Sequence, residues 1–423
     1  MRKKLKDIAA FFGKRLKRKD VVVHVAIDSR KVRAGSLFFA LSGEKVDGHD
    51  FLSEVSKRGA VAAVVSNEYQ GEDFGLDLIA TEDVKKALQD LAKEVFQRKS
   101  PFVIGVTGSV GKTTAKEFIA TLLSKKFRVM KSPGSLNSQI GLPLTILNWE
   151  GNEEICVLEM GMSQKGEIAR LVDIAPPNLG VLTKVSLAHS EFFNSIEEIA
   201  EAKSEIFKSR KMERAFCHLD TKAFRCIRLL KHAKTWFHPS DEGADITLKE
   251  LEPPFEESHL QETFLAAAAV ALHLGMSLDD IQKASQDLET IEHRFQKIEK
   301  KSILFIDDSY NASPESMMQA LSNLPSLKRK VGFLGAMKEL GTFETASHFD
   351  VLEHAISTLD HLICIGNEWD IIKNKKIIKG KVVEIFNEKE NAVKRLKEVA
   401  RPGDVVLLKG SNSFKLWTAL EEF

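Results

Sequence analysis

Residues 101–127 read PFVIGVTGSVGKTTAKEFIATLLSKKF, and this stretch decides the fold. FVIGVT is a short, continuous apolar run, the pattern of a strand buried on both faces. A glycine-bearing turn follows, Thr107-Gly108-Ser109-Val110-Gly111-Lys112-Thr113-Thr114, and then a helical pattern beginning at Gly111 or Lys112. Strand, loop and helix in that order make one unit of a parallel α/β sheet. The glycines let the backbone curl until several N–H groups converge beside a helix N-terminus, a ready site for phosphate oxygens. Lys112 would reach the β- and γ-phosphates of a nucleotide, and the Thr113 hydroxyl would meet Mg2+. Residue 106 is Val, so this is the shorter T-G-x-x-G-K-T-T form of the phosphate loop. Hydrolases, kinases, switches and ligases all use such a loop, so it leaves the reaction open.

The rest of the composition narrows the class. The chain has 423 residues, 43% of them hydrophobic, with 61 Lys plus Arg against 60 Asp plus Glu. That excludes a disordered chain and a globally basic nucleic-acid binder, so no nucleic-acid partner is expected. The four Cys form no CxxC, which excludes a zinc ribbon or a disulfide scaffold. No run of about 18 apolar residues exists to span a membrane. The opening residues, MRKKLKDIAAFFGKRLKRKD, hold an apolar stretch too short for a secretory leader, and a cytoplasmic location is expected. Leu5, Ile8, Ala9 and Phe12 fall on one stripe, which predicts a surface helix packed by that face.

Outward from the loop, strands and helices alternate. VVVHVAI, SLFFAL and AVAAVV precede a helical segment at 83–98 that stops near Ser100-Pro101. ICVLEMG and LGVLTKV are further buried strands, and helices are expected at 196–210 and 260–274. A charged stretch, 291–301, precedes ILFIDD, after which KVGFLG, HLICIG, KVVEIF and DVVLLKG mark a second α/β sheet. The boundaries are expected near 98 and 300, giving segments 1–98, 99–300 and 301–423. Glu159 ends its strand beside the loop mouth, where it would hold Mg2+ or simply be a solvated strand-end acid. His189 follows the next strand and, on position alone, reads as a cap or packed ring. Lys203 is one more lysine on a helix.

Together these residues resemble the Mur ligase family, ATP-dependent amide-forming enzymes of peptidoglycan precursor synthesis. The match runs through DSRKV-x-x-GSLFFAL-x-G-x-x-x-DGHDF (28–51), VTGSVGKTT (106–114), LNSQIGLPLTIL (136–147) and LEMGM-x-x-x-GEIARL (158–171). It continues in HSEFF-x-S-x-EEIAEAKSEIF (189–207), DDSYNASPESM (307–317), LGAMKELG (334–341) and GDVVLLKGS (403–411). The DSR…DGHDF block and DDSYNASP are the specific signatures, and they resemble the branch that adds a dipeptide. The resemblance implies three α/β domains: an N-terminal substrate domain, a central P-loop ATPase domain on a parallel sheet, and a Rossmann-like C-terminal domain that closes over both. It implies that D-alanyl-D-alanine is joined to UDP-N-acetylmuramoyl-tripeptide through an acyl phosphate, by a monomer.

Residue roles follow from the same resemblance. Thr113 and Glu159 would hold one Mg2+ and His189 a second. Lys203 would be carbamylated, turning a cation into an anion beside the metals. Arg294 would reach the ATP phosphates, or be a plain linker arginine. Asp308 and Asn311 would meet the ribose and base region. Ser29, Arg30, Asp47 and His49 would line the uridine-diphosphate site, or Arg30 would only brace a turn. Asn137 would lie close to the sugar-diphosphate substrate. The chain departs from the family at Ser138 and Ser313, which are usually Asn, and at Ala336, usually Asp. The H-N-x-x-N motif that helps hold the adenine side is here His259-Leu260-Gln261-Glu262-Thr263. A diamino-acid-adding ligase, a folylpolyglutamate synthase and a non-catalytic ATP-binding P-loop protein are the alternatives. The first lacks its D-N-P-R type motif here, and the second has no DSR block.

Overall fold

The computed structural model describes residues 3–16, 20–43, 45–188, 190–326, 328–372 and 381–423. His189 therefore lies outside the described residues. The chain builds three main sheets in succession. The first has four parallel strands in chain order, His24–Ala26, Ser36–Phe39, Ala60–Ser66 and Asp77–Thr81. A helix, Val84–Lys99, closes it; Asp83 caps its start, accepting from the Lys86 N–H, and Ser100 ends it with φ of 41° ahead of Pro101. The helix Leu5–Phe11 buries Leu5, Ile8 and Ala9, the expected stripe.

The central sheet is parallel throughout, in the order Ala233–Phe237, Arg214–His218, Leu179–Leu182, Phe102–Thr107, Ile155–Glu159, Val129–Lys131. Phe102–Thr107 sits where successive strands go to opposite sides. A crevice opens at the carboxyl end of such a switch-point strand, which is where ligands bind in open α/β sheets. Helix Lys112–Leu123 follows the loop and packs on Ser258–His273, whose run Ala266–Ala269 lets the two axes approach.

The third sheet runs Gln296–Lys300, Ile303–Asp307, Val405–Lys409, Lys330–Gly335, His361–Ile365, Val382–Phe386. Its first strand is antiparallel to the second, and the rest are parallel. The sequence reading leaves 291–301 as a charged stretch, but QKIEK forms this edge strand. Its exposed residues are Lys297 and Glu299, but its half-buried face holds Gln296, Ile298 and Lys300, so a single apolar residue is left to mark the strand period. The expected helix at 196–210 is an α-helix only over Ile196–Ser204 and tightens to a 3-10 turn over Glu205–Lys208.

Among the described residues five apolar clusters line these sheets, and one of them is shared between regions. Leu37, Val64, Leu88 and Leu91 of the first region pack in the same cluster as Leu142, Ile146, Ile168 and Leu171 of the second. The clusters of the third sheet contain only residues from Phe295 onward.

Candidate active site

The loop after Phe102–Thr107 has the shape its glycines predict. A Cβ on Gly108 would collide with the Thr183 hydroxyl, and Gly111 has φ of 80°. Both positions therefore demand glycine. The Ser109 N–H donates to the Lys184 carbonyl at 2.7 Å and its hydroxyl to the Ser186 carbonyl at 2.7 Å, which pins the loop to the neighbouring strand end. Lys112 Nζ turns back on the loop and donates to the Gly108 and Ser109 carbonyls at 2.9 and 3.1 Å. Burial lowers its pKa, Arg294 lowers it further, and Glu159 opposes the shift.

Lys203 comes to the same place from 95 residues away. Its side chain is buried, and Nζ donates to the Gly108 carbonyl at 3.0 Å. Two lysines thus share one carbonyl. Desolvation, with the Lys112 charge second, holds the Lys203 amine well below the usual ammonium range. Sequence position alone made it an ordinary helix lysine; its burial is what sets it apart.

Glu159 lies on the other side of the loop, 1% exposed. Its Oε1 accepts from Asn137 Nδ2 at 2.6 Å, while Oε2 is buried without a hydrogen-bond partner among the described residues. A carboxylate oxygen left bare in a buried place needs a cation or a donor from a ligand. Asn137 faces this carboxylate, and Gly161 makes room for it, since a Cβ there would lie 2.9 Å from Asn137 Cγ. Among the described residues no three His, Cys, Asp or Glu side chains converge as a ready-made metal cluster. The free Glu159 oxygen and the Thr113 hydroxyl, both in the cleft, are an oxygen donor set of the kind Mg2+ takes when phosphates supply the rest.

The third domain supplies the opposite wall. Arg294 Nη2 donates to Thr113 Oγ1 at 3.0 Å, and its guanidinium lies over the Tyr310 ring at 4.2 Å. Arg294 thus reaches the loop, 181 residues away in sequence. The Tyr310 hydroxyl also meets Ser135. Lys409, 2% exposed, pairs with Asp308 Oδ2 at 2.6 Å and donates to the Asn311 carbonyl at 3.2 Å. The GDVVLLKGS motif carries this lysine, yet its pairing with Asp308 is visible only in three dimensions. One cleft of about 680 Å3 is lined by Lys112, Thr113, Glu159, Asn137, Arg294, Asp308 and Asn311 together. Its volume suits a nucleotide plus part of a second substrate.

The first-domain candidates do not line this cleft. Arg30 forks Asp28 at 2.9 and 2.8 Å, and this pairing lowers the Asp28 pKa to about 2. Ser29 is buried in that turn. Asp47 accepts from the His49 N–H at 3.0 Å and from Nδ1 at 2.6 Å, while His49 Nε2 accepts from the Ser66 N–H at 3.0 Å. That fixes the proton on Nδ1. These four residues brace two neighbouring turns, and only Arg30 and Asp47 stand open to solvent.

Comparison with known proteins gives the same outline. Residues 21–96 match the Mur ligase family catalytic domain, 106–276 the Mur ligase middle domain, and 293–412 the Mur ligase glutamate ligase domain. The UDP-N-acetylmuramoyl-tripeptide–D-alanyl-D-alanine ligase of Bacillus subtilis is 34% identical over 93% of this chain and 92% of its own. That of Escherichia coli is 31% identical over 94% and 92%. The solved MurF ligase of Thermotoga maritima in complex with ADP is 34% identical, with a TM-score of 0.80 over 95% of this chain and 97% of that one. Motifs, fold and full-length likeness agree, and the chain belongs to the Mur ligase family.

Proposed function

We infer that this ATP-dependent ligase joins D-alanyl-D-alanine to UDP-N-acetylmuramoyl-tripeptide. The observation that carries the substrate assignment is likeness across the whole chain to relatives bearing that activity. The chemistry suits the cleft. A carboxylate acylates poorly, so the γ-phosphoryl group of ATP first moves to the tripeptide's terminal carboxylate oxygen, releasing ADP. The dipeptide amine then attacks the acyl carbon, phosphate leaves with the bonding pair, and the amine loses a proton. Anions must approach anions in the first step, so cations carry much of the catalysis.

The residue roles are proposals. Lys112 swings from the loop carbonyls onto the β- and γ-phosphates, with the loop from Thr107 to Thr114 holding them. Arg294 exchanges Thr113 for a phosphate oxygen. That frees the Thr113 hydroxyl, with Glu159, to hold Mg2+, whose bound charge would offset the phosphates; His189 is the proposed partner of a second ion. Lys203 is suited to carbamylation because only a neutral amine attacks CO2, and its burial beside Lys112 favours that form. Asp308 and Asn311 face the ribose. Ser29, Arg30, Asp47 and His49 form the uridine-diphosphate site, with Arg30 leaving Asp28 for the diphosphate. Asn137 orients Glu159 at the edge of the acyl substrate. Segments 1–98, 99–300 and 301–423 divide the work between UDP-sugar, ATP and closure, in a cytoplasmic monomer.

The test is phosphate release from ATP and Mg2+ with muramoyl dipeptide or tripeptide, paired with D-alanyl-D-alanine, a diamino acid or no amine. Release only with tripeptide plus D-alanyl-D-alanine is expected. Release with dipeptide plus diamino acid would transfer the chain to the sister activity. ATP binding without release in any pairing would favour a nucleotide-binding switch. For Lys203, a carbamate carbon signal after 13C-bicarbonate, absent in Lys203→Met, is the expected result.

A further inference from the structure

The nucleoside half of the cleft is built from unusual partners. From the phosphate loop, three strand ends step away from Glu159: Lys184 after the first, then His218 and Phe237. Glu262 comes from the helix packed on the loop helix. Lys184 and Thr263 touch the loop itself, through the Lys184 carbonyl on the Ser109 N–H and through Thr263 Oγ1, 3.5 Å from where a Gly111 Cβ would lie. With phosphates on the loop and the acyl substrate toward Glu159, the base must extend over this row.

We propose that Glu262 and His218 read the purine base, replacing the two amides that the H-N-x-x-N motif carries elsewhere in the family. This deepens the reading of the cleft as an ATP site and rests on it. His218 is 1% exposed, and its Nδ1 accepts from the Asp220 N–H at 3.3 Å. In the neutral ring the proton is therefore on Nε2. Burial, with the nearby Lys184 and His238 charges, lowers its pKa to about 3, so the ring stays neutral. That Nε2–H has no hydrogen-bond partner among the described residues, and Nε2 lies 3.8 Å from Glu262 Oε2. Lys184 holds Glu262 Oε1 at 2.8 Å and sets the carboxylate's orientation. The cleft wall thus holds an acceptor oriented by Lys184 beside a buried donor, next to the buried Phe237 ring, and a base that parts the 3.8 Å His218–Glu262 contact would meet both.

Adenine matches this pair along one edge. Its 6-amino group donates to Glu262 and its N1 accepts from His218. Hypoxanthine reverses both groups, with an oxygen at position 6 and a proton on N1. In the same pose it would set acceptor against acceptor and donor against donor. A buried polar pair left unmatched is the kind of contact that discriminates strongly.

Calorimetric binding of ADP and inosine diphosphate to the full chain tests this without requiring turnover. The wild type should bind ADP at least about tenfold tighter. Glu262→Gln, whose amide can also donate to the 6-oxygen, should shrink that ratio by about tenfold. His218→Phe, which removes the donor facing N1, should shrink it as well. A merely structural role would weaken both nucleotides by one common factor. A wild-type ratio within about twofold, or a ratio unchanged in both variants, overturns the assignment. If Glu262→Gln does not fold, the wild-type ratio and His218→Phe still decide. An intact ADP preference in a chain with no ligase turnover would count against the ligase reading alone.

Discussion

Single residues carry the proposed chemistry, and Lys203 is set apart by its burial. In the folded chain its amine is buried and held well below the usual ammonium range. In the unfolded chain it titrates near ~10.4. Between those two values the unfolded state binds one more proton, so stability rises with pH across that window and levels off above it. Lys203→Met removes this dependence. In carbonate-free buffer the variant should melt at least as high as the wild type at pH ~7, and its advantage should shrink toward pH ~10. Thermal melts at matched pH values check this; an advantage that grows with pH would contradict it. The same variant should lose activity. Lys112→Ala takes a donor from the Gly108 and Ser109 carbonyls, the first of which Lys203 still reaches, so the melting point should fall by only a few degrees, while loss of the proposed phosphate partner should reduce ligase kcat/KM by roughly 10^3 or more.

At the scale of elements, one departure from the family pattern has a local explanation. Ser313 caps helix Pro314–Ser322, with a capping box to Ser316 and Pro at the first turn. Asn and Ser cap helices about equally well, so Ser where Asn is usual keeps the element. Ser313→Ala should cost about 1 kcal/mol in denaturant melts, and Ser313→Asn close to none. A cost for Asn as large as for Ala would mean that the hydroxyl serves the cleft rather than the helix. Lys116 is a second element-level device. Fully buried on the loop helix, it donates to the Ser132 carbonyl at 2.7 Å and also reaches the Gly134 carbonyl, tying the loop helix to the turn before Asn137. Nothing in its sequence context distinguishes it from the other helix lysines.

The described residues form two cohesive bodies joined by polar contacts and by the edge-on His259–Phe295 ring contact. The first and second regions share a core, while the third keeps its own. The Glu191 N–H to Glu339 carbonyl bond, the Ser258–Asn323 contact and Arg294 on Thr113 are among the links across the second junction. His293 and Phe295 hold φ of 61° and 56° at this crossing, strained values for residues with side chains. A fragment of residues 291–423 should therefore fold cooperatively alone, whereas 99–290 should aggregate with its shared face bare. Circular dichroism and gel filtration of the two fragments check this. A folded, monomeric 99–290 would show that the shared core is not needed.

The sequence alone determined the local units. Apolar runs marked the buried strands, glycines at fixed spacing marked the phosphate loop, and motif order pointed to the family. These depend on neighbours within a few residues, which a chain carries with it before folding. It missed the edge strand Gln296–Lys300, because the half-buried face holds Gln296, Ile298 and Lys300 and only one apolar residue alternates with the charges. Tertiary structure alone decided which polar groups are left without water. Among the described residues Glu159 Oε2 has no hydrogen-bond partner, Lys203 is buried against Gly108, Lys409 is paired with Asp308, and His218 Nε2 faces Glu262. Each is a meeting of side chains distant in sequence, and desolvation is set by the walls that close around a group, not by its place in the chain.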